Sequence, residues 1–150
     1  MAAYDDPRVK PHVRAVAREI KDRFDISNIG GFATTGHITN SDHYRGLALD
    51  VMTSIRGQEV ANWAQANAQR LSITYIIWNR RIWDSRNSKG WQPYSGTSPH
   101  TDHVHLSFFP TAGDGSPPVE GSAGSASGTD PVSQAKDGCS SLVLKLFGLG

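Results

Sequence analysis

The stretch that decides the fold is His100-Thr101-Asp102-His103-Val104-His105-Leu106-Ser107-Phe108. From residue 103 onward it alternates polar and apolar side chains, which is the period of a β-strand with one face in a core. His103 and His105 are two apart and therefore point the same way, while Asp102 faces the other way or lies in the loop that enters the strand. About fifty residues upstream is a second cluster, Ser41-Asp42-His43-Tyr44-Arg45-Gly46-Leu47-Ala48-Leu49-Asp50. Together the two supply a His, an Asp, a His-x-His and one further Asp. A catalytic zinc takes three such ligands and keeps a position open for water. The metal brings the pKa of that water to about 7. Metal-assisted hydrolysis is the chemistry these residues point to.

His43 and Asp50 are seven apart, an odd spacing that would put them on opposite faces of one straight strand. Gly46 interrupts the stretch, so the reading places His43 in a loop folded back over a short strand, residues 47–51. Neighbouring strands of one sheet then hold the ligands. The expected fold class is α+β: a small antiparallel sheet carrying the metal site, with helices packed on the opposite face.

Working outward, Val13, Val16, Ala17, Ile20 and Phe24 recur at helical spacing and predict a helix over 11–24, with Pro11 in its first turn. Residues 26–32 read as a first strand ending at Gly30-Gly31. A polar loop, 33–42, leads to His43. A second helix is expected over 57–71. Residues 72–78 and 81–83 read as a hairpin with Asn79-Arg80 at its turn. The long polar segment 85–99 reads as a loop forming one wall of a substrate groove. His12 and His37 read as ordinary surface or hydrogen-bonded histidines.

The chain has 150 residues and a formal net charge of +1, with no basic stripe, which argues against a nucleic-acid partner. Its one cysteine, Cys139, allows neither an intrachain disulfide nor a thiolate zinc site. There is no export signal at the N-terminus and no run of about 20 apolar residues for a membrane span. Three regions follow from composition: a domain over 1–110, a Gly/Ser/Pro/Ala-rich flexible linker over 111–138, and a short apolar tail over 139–150. That tail reads either as the stump of a further module or as a docking peptide for a larger assembly.

The spacing His-x6-Asp followed by His-x-His resembles the zinc peptidases that include lysostaphin, the D-Ala-D-Ala metallopeptidases and the hedgehog signalling domain. The phrase around His43, Gly46, Ala48 and Asp50 is most similar to the D-alanyl-D-alanine carboxypeptidase and phage L-alanyl-D-glutamate endopeptidase branch. Ile29-Gly30-Gly31, Tyr75-Ile76-Ile77-Trp78, Arg81-Ile82-Trp83 and Asp102-His103-Val104-His105 look like an actinobacterial version of it. The resemblance covers roughly residues 7–109. It implies a Zn2+ held by His43, Asp50 and His105, with Asp102 as catalytic carboxylate and His103 steadying the tetrahedral intermediate. Two alternatives stand beside these roles: His103 as a ligand in place of His105, and Asp102 orienting a histidine rather than moving protons.

Many members of that group carry an Arg just after a Gly-aromatic pair, where it reads a substrate carboxylate. Here Gly31-Phe32 is followed by Ala33. Arg45, Arg80 and Arg81 are the candidate replacements, and the difference favours internal over terminal cleavage. Arg45, Arg81, Trp78 and His100 are the candidate substrate contacts. The expected substrates are the stem or cross-link peptides of bacterial peptidoglycan. Without an export signal, the protein would reach the cell wall by phage delivery, on a virion or tail, or as a trimmed secreted chain. The competing expectation is a non-catalytic, zinc-containing cell-wall or protein binding module on the same scaffold.

Overall fold

The computed structural model describes residues 1–118. The expected linker lies mostly, and the apolar tail wholly, outside the described residues. A short 3-10 turn, Ala3–Asp5, precedes helix α1, Pro11–Phe24. Strand β1, Ile29–Gly30, and a second 3-10 turn, Asp42–Arg45, lead into β2, Ala48–Met52. Helices α2, Gly57–Ala66, and α3, Ala68–Leu71, are followed by β3, Ile73–Trp78, β4, Arg81–Asp84, β5, Gln92–Pro93, and β6, His103–Phe108. The six strands form one antiparallel sheet in the order β1-β2-β6-β3-β4-β5. The class is α+β. The last strand in sequence is thus an inner one, wedged between β2 and β3.

The alternation read from β6 is present: Val104, Leu106 and Phe108 join the hydrophobic core together with Leu49 and Val51 of β2. The α1 stripe Val13, Val16, Ala17, Ile20 and Phe24 enters the same core, as do Val60, Trp63 and Ala64 of α2. The helix begins with Pro11 and closes at Asp25, a left-handed residue at φ 57° whose N–H donates to the Lys21 carbonyl. At the centre of the core Trp63 is fully buried, with Phe24 edge-on to it at 5.7 Å and the guanidiniums of Arg23 and Arg70 at its ring.

Four expectations needed correction. The first strand is only two residues long rather than spanning 26–32. The second helix breaks at Asn67, whose side-chain amide donates to the Trp63 carbonyl and closes α2 before α3 begins. The segment 85–99 is not all loop, because Gln92–Pro93 pairs with β4. Trp78 is a core residue, packed over Gly57 with its indole N–H on Gln58, so it is not offered to a substrate. The hairpin turn is as expected: Asn79 and Arg80 both have positive φ, 50° and 68°, which fits the twist of a two-residue hairpin turn.

A register shift between Ile73 and Tyr75 interrupts the β3–β6 ladder. One extra residue reverses which side chains face which side. Ile73 and Ile76 therefore both enter the core, while Tyr75 and Ile77 lie opposite Ser107 and His105.

No helix among the described residues is long and apolar enough to cross a membrane.

Candidate metal centre

The seven-residue spacing is resolved by the turn that carries His43. Ser41 caps it, its hydroxyl accepting from the His43 N–H at 3.2 Å. Gly46 ends it in the left-handed region at φ 70°, its N–H donating to the carbonyls of Asp42 and His43. The chain then enters β2, where Asp50 stands directly opposite His105 of β6.

Asp50 is the hub. Its Oδ1 lies 3.0 Å from His105 Nδ1 and 3.8 Å from His103 Nε2, and its Oδ2 lies 3.2 Å from His43 Nε2. Each imidazole is tied from behind. His43 Nδ1–H donates to the Gly31 carbonyl at 2.6 Å, so in the neutral ring Nε2 turns a lone pair toward Asp50. That Nε2 is buried and makes no hydrogen bond of acceptable geometry, despite its closeness to the carboxylate. His105 Nε2 is 2.9 Å from the Ser107 hydroxyl. When Ser107 accepts there, Nδ1 faces Asp50 as a lone pair. Histidines that bind metals are characteristically held in this way through their other nitrogen. A lone pair facing a carboxylate is a repulsive arrangement that a cation between them resolves.

Burial alone would raise the Asp50 carboxyl, but the imidazoles of His105 and His43 hold it well below the usual carboxylate range. Burial alone would lower His43, yet the Asp50 carboxylate beside it leaves its pKa above the ordinary value. Both shifts say that this corner favours positive charge, which a proton on an imidazole supplies in the metal-free protein and a metal ion would supply in its place.

The other expected residues are placed as follows. Asp102 lies outside the cluster, its side chain 77% exposed, and accepts from His103 Nδ1–H at 2.7 Å. That hydrogen bond lowers its pKa. His100 is buried, with Nδ1 2.7 Å from the Ser98 carbonyl and its ring 4.6 Å from that of His103. Arg45 is exposed and paired with Asp42. It lines an open cleft of about 950 Å³ shared with Arg8, Phe32, Tyr44, Tyr75 and Arg86. Arg81 instead lies over the Trp91 ring at 5.4 Å and does not line that cleft.

Three residues emerge only from the structure. Ser107 was within reach of the period-2 rule, being two beyond His105. Tyr75, stacked on His105 at 5.6 Å, required the pairing of β3 with β6. His37 stacks on His43 with ring centroids 4.1 Å apart. His37, His43 and Asp50 offer ligand atoms within 4.8 Å of one another, a group that could hold a metal ion. A histidine in an irregular loop has no periodicity to announce it.

Burial pushes His100 down to about 4, so it stays neutral where the unfolded chain's histidine charges. The sign is then fixed: between about pH 6.5 and 4 the unfolded state binds the extra proton, and stability falls as pH falls. We predict that metal-free protein loses on the order of 2–3 kcal/mol over this window through His100. His100→Asn, which tolerates the left-handed backbone here (φ 55°), flattens the slope. Urea unfolding at pH 7 and 4.5 checks this, and equal slopes in the two proteins would sink it.

An α+β protein with a histidine-rich, acid-centred cluster on an antiparallel sheet is the class that fold and site define. The family model that matches is described as VldE, C-terminal domain, and it matches residues 5–105. The chain belongs to that family. No curated protein and no solved structure gives a significant match.

Proposed function

We propose that the protein is a zinc-dependent peptidase acting on the stem or cross-link peptides of bacterial peptidoglycan. The observation that carries the metal part is the buried, unbonded Nε2 of His43 facing the Asp50 carboxylate, with His105 Nδ1 on the other carboxylate oxygen. His43, Asp50 and His105 would hold the ion, and two histidines with one carboxylate suit zinc. Bound there, zinc supplies a Lewis acid and a water of lowered pKa. The substrate class rests on the resemblance to the peptidases described above.

Asp102, kept ionised by its hydrogen bond to His103, takes the water's proton and passes it to the leaving amine. His103, whose Nδ1 rests against Asp102, would donate from Nε2 to the developing oxyanion. Such a donor is typically worth about 10²–10³ in rate. Arg45 and Arg86 line the cleft in ion pairs with Asp42 and Asp84, and either would bind an acidic group of a peptide by exchanging that partner.

The test is digestion of purified sacculi with and without a chelator, with released peptides read by mass spectrometry. Chelator-sensitive products with new peptide termini are expected, and Asp102→Ala should lower their rate by about 10²–10⁴. Stoichiometric zinc with no product, or an Asp102→Ala variant as active as the parent, would count against a peptidase. The first of these results would favour a binding module.

A further inference from the structure

We propose that His37 is an exchangeable fourth protein ligand of the metal centre, occupying the coordination position that an attacking water needs. The inference rests on the metal centre proposed above, and it adds a residue to the three the resemblance implies.

His37 sits in the exposed loop between β1 and the ligand-bearing turn, yet that loop is fastened to the turn at this residue. Tyr44 takes both backbone groups of His37: its hydroxyl accepts from the His37 N–H at 3.1 Å and donates to the His37 carbonyl at 2.7 Å. Gly36, at φ 90°, makes the bend that delivers the residue. The ring then lies 4.1 Å from His43 at an interplanar angle of 16°. A ring nitrogen falls within 4.8 Å of the ligand atoms of both His43 and Asp50.

Stacking is not ligation. A ring nitrogen's lone pair lies in the plane of its own ring, so a ring stacked on His43 does not aim it at the space His43 Nε2 faces. Ligation therefore requires the His37 ring to turn about its side-chain bonds while Tyr44 holds the backbone. The exposure of the residue leaves room for this rotation. Two arrangements follow from one anchored residue. Stacked, His37 leaves three ligands and an open position. Turned inward, it completes a closed set of three histidines and one aspartate, the four-coordinate form typical of structural rather than catalytic zinc. Substrate entry would compete with the ring for that position.

The experiment uses the full chain loaded with one equivalent of zinc, then of cobalt(II). Zinc affinity is measured by competition with a chromophoric chelator, and the number of bound imidazoles by X-ray absorption. The variants are His37→Ala, His37→Phe and His43→Ala. Three imidazoles are expected in the parent and two in His37→Ala, with zinc affinity falling roughly tenfold or more and the cobalt spectrum shifting as water replaces nitrogen. His37→Phe keeps a ring to stack on His43 but cannot ligate, so it should behave as His37→Ala. Two imidazoles in the parent, or an affinity restored by His37→Phe, would overturn the proposal and leave His37 a packing residue. If His43→Ala binds zinc as the parent does, the metal centre itself is misread and the proposal falls with it.

Discussion

On the function proposed above, Asp50→Asn is expected to weaken metal binding severely, and the hydrolysis that depends on it, while leaving the protein folded. The carboxylate is the one group that touches His43, His103 and His105 together. An amide of the same size keeps the volume and offers an N–H₂ donor to the lone pair of His43 or His105. The repulsion that a cation otherwise resolves is thereby relieved within the protein. Stability of the metal-free protein should change by less than about 1 kcal/mol, because the hydrogen bond the amide gains offsets the carboxylate's lost attraction to the imidazoles. Zinc affinity should fall by more than about 100-fold, beyond what loss of a mere supporting partner costs. Calorimetric zinc titration and urea unfolding on the same samples read both quantities. Retained tight, stoichiometric zinc would show that the carboxylate is not the hub.

Gly46→Ala should have the largest effect on stability. A Cβ at this position would lie 2.0 Å from the Arg8 carbonyl oxygen and 3.1 Å from the Val9 Cα, and both are backbone atoms that cannot swing aside. The residue also needs φ 70°, which costs a non-glycine residue about 1–2 kcal/mol before any clash. Its own carbonyl accepts from the Lys10 N–H at 3.0 Å, tying the entry to α1 to the turn that carries His43. Relief of the clash must separate these two segments. We expect a loss of at least about 3 kcal/mol, among the larger effects a single substitution produces. Zinc affinity should weaken even in the fraction that stays folded. Gly36→Ala is the comparison: the same left-handed strain at φ 90° but nothing within 4 Å, so about 1–2 kcal/mol or less. Similar denaturation midpoints for the two variants would show that the close approach does not matter.

The parts of the fold legible in the sequence are those whose residues repeat. The five apolar positions of α1 mark its buried face, and its bounds coincide with the structure. Val104, Leu106 and Phe108 alternate with His103, His105 and Ser107, which is enough to assign β6 and the common direction of its two histidines. Where order comes from pairing rather than repetition, sequence is a poor guide. β5 contains Pro93 and exists only because β4 lies beside it. The break at Asn67 depends on a side chain finding the Trp63 carbonyl. Trp78 looks like a groove residue by type but shares the core face of Ile76, two residues before it in β3.

The same distinction runs through the site. His43, Asp50 and His105 carry a recognisable spacing, and the structure sets one histidine against each oxygen of the Asp50 carboxylate. Asp102 reaches that cluster only through His103, a relation that adjacency in sequence suggests but cannot orient. Tyr75 and His37 come from elements whose approach to the site is decided by tertiary packing. Arg45 and Arg81 look equivalent as cations in the sequence, yet one lines the cleft and the other covers Trp91.

The wedging of β6 between β2 and β3 also sets the order in which the chain can mature. Until residue 108 has been synthesised, β1–β2 and the β3–β4–β5 meander are two ribbons with unpaired inner edges, each a template for a wrong partner. Arrival of the last strand joins them through contacts about fifty residues distant, the slow kind of closure. The same strand delivers His103 and His105. A ribosome-bound chain can thus display His43 and Asp50 long before it can complete the cluster, and the centre would be assembled in the step that seals the sheet.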